Sequence, residues 1–163
     1  AVSSRKTIAR TQLALGTASD LGQQAGLAKR ISFASMLAAT PDLPIYSNAP
    51  TSIEGKRSAQ LLSGHEFSDT LHQRLKEKPS LDELITALND GPSLALMLAA
   101  QAVAEPDIRV MSLLSEAISP PVDYDVVILG SELMDEASAF ANYLHTRKAR
   151  AMFTQFGYQP AAQ

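Results

Sequence analysis

The 163 residues carry 14 Lys and Arg against 17 Asp and Glu, a net charge of −3, with 45% hydrophobic and 19% charged residues. Such a chain has apolar material enough for a real core, and it lacks the basic footprint that a nucleic-acid partner demands. Zero cysteines exclude a disulfide scaffold, a thiolate metal site and a cysteine nucleophile, and no run of about 18 apolar residues could span a bilayer.

Residues 12–17 read as a short strand, and 18–26 as a polar, glycine-bearing loop. A helix follows at 27–39, with Leu27, Ile31, Ala34, Leu37 and Ala38 on one side. Residues 43–46 form a strand between prolines. The stretch 53–62 is helical until Ser63-Gly64 breaks it, and Ser68 then caps a helix over 69–76. Ser80 and Glu83 make a capping box at the head of the clearest helix, whose stripe is Leu81, Leu84, Ile85 and Leu88. Asn89, Asp90, Gly91 and Pro92 stop it. The wholly apolar run 94–98 predicts a strand covered on both faces, and 108–113 predicts another. A strand over 124–129 precedes two helices. Their apolar stripes are Leu133, Ala137, Phe140, Ala141 and Leu144, then Ala149, Met152, Phe153 and Phe156, with Gly157 as the C-cap. Strands that alternate with helices predict a three-layer α/β fold with a mostly parallel sheet flanked by helices. Leu13, Leu15, Ile45, Leu94, Leu96, Leu98, Val126 and Ile128 are expected on its central strands.

In open α/β sheets ligands sit beyond the carboxyl ends of strands, where helix N-termini direct unpaired N–H groups and positive dipole ends. Such ends hold an anion without any charged side chain. Two helix starts fit this: the turn 51–55, and Ser80-Leu81. A Ser-x-x-Glu box is also simply a cap, and Gly55 also suits a plain tight turn. Other constellations are thinner. His65 and His72 are seven residues apart, too far for one zinc, and Gly64 and Ser68 argue against one continuous helix there. No G-x-S-x-G elbow accompanies Ser138 or His145, and Asp123 and Asp125 flank Tyr124 as charges expected in solvent. No metal, cofactor or enzymatic chemistry is expected. Arg147, Lys148 and Arg150 read as a surface face.

Four segments in order carry a resemblance. Residues 120–158 read as a strand, a small acidic opening, AxxFxxYL and xxKAxxxFxxFGY; 4–15 read SRKTIARTQLAL, 43–55 read LPIYSNAPTSIEG, and 79–98 read PSLDELITALNDGPSLALML. Together they resemble the periplasmic solute-binding proteins of the molybdate and tungstate type, which serve ABC importers. Asn48 and Gly55 stand at matching places of that family's loop. The resemblance implies a two-lobe protein that closes on a small anionic solute, with a membrane permease as its partner and a periplasmic location. It implies that 1–122 are the second lobe with its crossing segment and that 123–163 return to the first. It places backbone donors on Glu54 and Leu81, beside Ser52 and Ser80, while a tyrosine that reaches the oxyanion in the molybdate type is here Ala99. The family's first-lobe serine loops have no match before Ala1, so weak oxyanion binding is expected of this chain alone. Glu54 puts a carboxylate where relatives have a small residue. Beside a dianion at about 4 Å it would cost several kcal/mol, so either Glu54 points outward or the ligand is not a dianion. Two other readings share these features: an effector-sensing domain of a transcription regulator, and an interaction module with a degenerate pocket.

Overall fold

The structure is a computed structural model that describes residues 2–18, 30–64, 66–130 and 133–161. In chain order the elements are β1 (Val2–Thr11), β2 (Leu13–Ala18), α1 (Phe33–Ala39), β3 (Ile45–Asn48), α2 (Ile53–Gln60), α3 (Ser68–Arg74), β4 (Leu75–Lys78), α4 (Leu81–Asn89), β5 (Leu94–Leu98), α5 (Ala99–Ala104), β6 (Ile108–Leu113), β7 (Val122–Leu129), α6 (Met134–Leu144), α7 (Arg147–Gln155) and β8 (Gln159–Pro160). The chain divides into two compact units: Gln12–Pro120, and Ala1–Thr11 with Pro121–Gln163.

The unit Gln12–Pro120 is built on a five-stranded sheet in the order β4-β3-β5-β2-β6. β3 pairs parallel with both β4 and β5, whereas β2 runs antiparallel to β5 and β6, so four strands point one way and only β2 opposes them. This is the α/β sheet flanked by helices that the alternation of elements predicts. All five residues of β5 are buried, as a strand walled by helices on both faces must be. On one face Ala95 and Met97 meet Leu84 and Leu88 of α4, Ala102 of α5 and Ile108 of β6. Leu13, Leu15, Ile45, Leu94 and Leu96 are fully buried, the placement expected of them.

Two local expectations give way to tertiary contacts. The helix expected over 69–76 ends at Arg74, because residues 75–78 pair with β3 as a strand. This edge strand carries Lys76, Glu77 and Lys78, charges that discourage further pairing, and the Lys78 ammonium lies 4.9 Å from the Tyr46 ring centre. The helix expected over 27–39 begins only at Phe33, capped by Ser32, with Ile31 outside it and donating its N–H to the Met111 carbonyl; it buries Phe33, Met36 and Leu37, while Ala34 and Ala38 face outward. The larger side chains win the inner face because each buries more apolar area than an alanine. Leu27, the loop 18–26 beyond Ala18, and His65 lie outside the described residues.

In the other unit, β7 and β8 flank β1 in an antiparallel three-stranded sheet. Val126 and Ile128 therefore sit here, not in the sheet of Leu94 and Leu96. The β1–β7 ladder joins segments more than a hundred residues apart, a pairing that leaves no local signature in either strand. The paired helices α6 and α7 form as their periodicity predicts, and Gly157 closes α7 with φ 81°. Ala141 and Ala149 are buried, whereas Leu133, Phe140, Tyr143, Met152 and Phe156 are exposed.

One side chain fixes the connection after α1. The Arg74 guanidinium donates to the carbonyls of Leu37 (3.2 Å) and Thr40 (2.6 Å) at the C-terminal end of α1, and to that of Leu43 (2.9 Å) in the connection beyond it. Lysine, a point charge, cannot fork in this way. Arg74→Ala should lower stability by about 2–3 kcal/mol in urea unfolding, and Arg74→Lys should recover less than half of the loss. Full recovery by lysine would show that charge alone matters here.

Candidate functional site

Because β3, β4 and β5 run the same way, their carboxyl ends share one edge of the sheet. Asn48 ends β3 opposite Lys78 at the end of β4, and the Ala49 N–H donates to the Lys78 carbonyl at 2.9 Å. From this edge rise α2 after a four-residue turn, α4 after Pro79-Ser80, and α5 directly from β5. The edge thus gathers every candidate residue: Ser52 and Glu54 on α2, Ser80 and Leu81 on α4, and Ala99 on α5.

The start of α2 is tightly built. Ser52 is its N-cap and accepts from the Gly55 N–H at 3.1 Å. A Cβ on Gly55 would lie 2.0 Å from the Ala49 carbonyl oxygen, so only glycine lets the helix approach the end of β3 this closely. Glu54 does not point outward: it is 7% exposed. Its Oε1 accepts from Asn48 Nδ2 at 2.7 Å, and its own backbone N–H and the side chains of Gln101 and Ser52 lie around the carboxylate. Burial pushes the Glu54 carboxyl upward, but these polar partners outweigh it and hold it below the ordinary value of 4.5. The main-chain N–H expected to serve a ligand is thus turned onto the residue's own side chain. Asn48 is 4% exposed, and its Oδ1 meets no donor among the described residues. Its orientation is fixed, since a carboxylate can only accept.

Gln101 is the member that sequence reading misses. Its own Oε1 accepts from the Leu98 N–H at 2.9 Å, which anchors the amide at the third residue of α5. A glutamine three residues beyond the end of an apolar strand is the signal that could have revealed it.

The other candidates offer less. The Ser80 hydroxyl accepts from the Glu83 N–H at 3.3 Å, the capping role expected, and both residues are exposed. Leu81 opens α4, where first-turn N–H groups have no intrahelical acceptor, and its side chain joins the Leu84 and Leu88 cluster. Ala99 brings no hydroxyl, and its N–H is spent on the Gln12 carbonyl at 2.9 Å. Asp125 accepts from Thr7 Oγ1 at 2.7 Å and from the Arg5 guanidinium, which hold its carboxyl below its ordinary range. Asp123 faces Arg10 at 3.1 Å. Both carboxylates are tied to β1, not to each other. His72 meets the Leu62 carbonyl at 2.9 Å. Among the described residues no three His, Asp or Glu side chains gather as metal ligands, and no helix is long and apolar enough to cross a membrane. An open groove of about 420 Å³ between α1 and α3, lined by Leu37, Phe67 and Arg74 among others, includes none of the residues at the strand edge.

Two measurements test the α2 geometry. Gly55→Ala should cost about 3 kcal/mol in urea unfolding, the cost of forcing a methyl into backbone; a neutral effect would mean that the turn is looser than described. Because the folded-state Glu54 carboxyl lies below 4.5, its stabilisation should be full above that pH and fade as pH falls below it. Comparing wild type with Glu54→Gln across pH 3–7 should show the difference in unfolding free energy shrinking toward acid. A constant difference would dissociate Glu54 from the acid side of the stability profile.

Curated protein sequences give no match. Among solved structures, the fold is similar to the substrate-binding domain of a candidate molybdenum ABC transporter from Clostridium difficile, with TM-score 0.79, 20% identity, and 97% of this chain aligned over 67% of that one. It is similar to the periplasmic molybdate-binding protein of Azotobacter vinelandii, with TM-score 0.65, 20% identity and coverage of 98% and 69%. A tungstate-binding protein from Desulfovibrio alaskensis gives TM-score 0.62, 12% identity and coverage of 99% and 72%. Identities this low speak for the fold alone. The sequence profile of a family described as bacterial extracellular solute-binding protein matches residues 1–159, nearly the whole chain, and the chain belongs to that family of binding proteins.

Proposed function

We propose that the protein is the periplasmic solute-binding component of an ABC importer, and that a small anionic solute docks at the carboxyl edge of β3, β4 and β5. The unit Gln12–Pro120 is then the solute-gripping lobe, and the solute-loaded form is what the membrane permease receives. The observation that carries this reading is the crowding of three helix starts, α2, α4 and α5, along one edge of parallel strands. Such an edge concentrates unpaired N–H groups and positive dipole ends without needing a basic side chain. The names of the similar structures support a small solute, and the family membership supports capture outside the cytoplasm. With α2 closed by Glu54 and α5 spent on Gln12, the anionic group of the solute falls to α4, at Leu81 and Ser80.

One observation favours a second reading, an interaction module with a degenerate pocket. Ala99 and Glu54 together remove two donors that an oxyanion would use. A thermal-shift screen of small anions and anionic organic solutes, followed by titration calorimetry, separates the two: saturable one-to-one binding supports capture, and a blank screen supports the module.

Leu81→Pro provides the site test. Proline is tolerated at a first helical position, where it removes the N–H and puts a smaller apolar ring in place of the partly buried Leu81 side chain, and Ser80 already holds φ −142° and ψ 163°, an extended conformation compatible with a following proline. The variant should keep its melting temperature within a few degrees and bind the identified solute about ten- to a hundredfold more weakly, the worth of one hydrogen bond to a charged ligand. Unchanged affinity would remove α4 from the site.

A further inference from the structure

We propose that the first turn of α2 is a complete oxyanion cradle which this protein fills with its own Glu54 carboxylate, so that fully deprotonated oxyanions such as molybdate and sulfate are shut out and removal of the carboxylate opens the cradle to them. The proposal rests on the reading of this strand edge as the solute-facing one.

Asn48 Nδ2 donates to the Glu54 carboxylate at 2.7 Å, and the α2 backbone N–H of residue 54 and the side chains of Gln101 and Ser52 lie around the same group. They come from three separate elements, the end of β3, the start of α2 and the start of α5. Two of them are themselves fixed. Ser52 is held as the N-cap by the Gly55 N–H, and Gln101 is held through the Leu98 N–H. A set of anchored donors around a planar carboxylate is the arrangement a small oxyanion requires, since each of its oxygens seeks N–H or O–H partners. The carboxylate meets that need from within the chain.

A second observation concerns what is left over. Asn48 is 96% buried by its 4% exposure, and its Oδ1 has no donor among the described residues. The unmet group beside the cradle is therefore an acceptor. A fully deprotonated oxyanion has no hydrogen to give it and would place its charge against Glu54 as well. A solute group with a hydroxyl or ammonium hydrogen answers both conditions.

Glu54→Ala and Glu54→Ser separate occupancy of the cradle from ordinary structural support. Wild type and both variants are titrated with sodium molybdate and sodium sulfate at constant ionic strength, and melting temperatures are recorded with and without each anion against a chloride control. The expected result is no saturable heat with wild type, at least thirtyfold tighter binding of molybdate by either variant, and an anion-dependent rise in melting temperature confined to the variants. Two variants guard against one failing to fold, and rescue of a destabilised variant by added anion itself reports a filled cradle. Micromolar binding of molybdate or sulfate by wild type would overturn the proposal while strengthening the solute-binding reading. Variants that respond to anions no more than wild type would overturn it as well, and the wider solute screen would then judge that reading separately.

Discussion

Parallel pairing of β3 with both β4 and β5 is the constraint on which the arrangement of this protein depends. A parallel neighbour cannot be reached by a tight turn, so each of these strands must be followed by a crossover, and the crossovers here are helices. The consequence is geometric. Every helix that follows one of these strands starts at the same edge, and a helix start leaves backbone N–H groups to be satisfied. The edge accumulates demand for acceptors as a by-product of sheet topology. β2, the single reversed strand, adds the remaining piece: its first residues lie at this same edge, where the Gln12 carbonyl takes the Ala99 N–H and the Leu13 carbonyl takes the Leu114 N–H.

Each of the three starts is satisfied differently, and the differences come from single residues. At α5 the sheet itself supplies the acceptor. At α4 a serine caps an exposed first turn through the Glu83 N–H. At α2 the helix is drawn so near to the end of β3 that only glycine fits at position 55, and a carboxylate one residue earlier folds back onto the terminus. Burying a carboxylate is ordinarily costly; the Asn48 bond, the neighbouring donors and a helix dipole are what make it tolerable here, and they leave the group more acidic than in water.

Much of this was legible in the sequence, and the remainder was hidden for identifiable reasons. The apolar run of β5, the capping serines at 52 and 80, and the alternation of strands and helices all have local signatures, and they locate the edge. Periodicity reports which residues share a face but not what covers it, which is why Phe140, Met152 and Phe156 form the predicted stripes yet stand exposed. Strand pairing is non-local, so neither β4 at the end of a helical pattern nor the separate sheet of Val126 and Ile128 could be read from neighbours in the chain. The direction of Glu54 was likewise undetermined by its own surroundings: it follows from Asn48 and Gln101, which lie on two other elements. Backbone donors leave almost no mark on residue identity, so a site made of them is read from topology more readily than from side chains.

A tethered carboxylate has an advantage that no free solute shares. Its oxygens are held a few bonds from the donors, and an intramolecular group in that position acts at an effective concentration of millimolar or well above. A free oxyanion must outcompete it, repel no charge in doing so, and leave the displaced carboxylate with acceptors but no donors in a buried place. Each condition costs free energy in the same direction. A lobe with a small residue at this position would face none of these costs, because an empty cradle and a filled one differ by a single side chain and not by the backbone that builds it. Solute class in such a lobe is therefore set less by how the donors are arranged, which the parallel strands dictate, than by whether the chain brings its own acceptor to them.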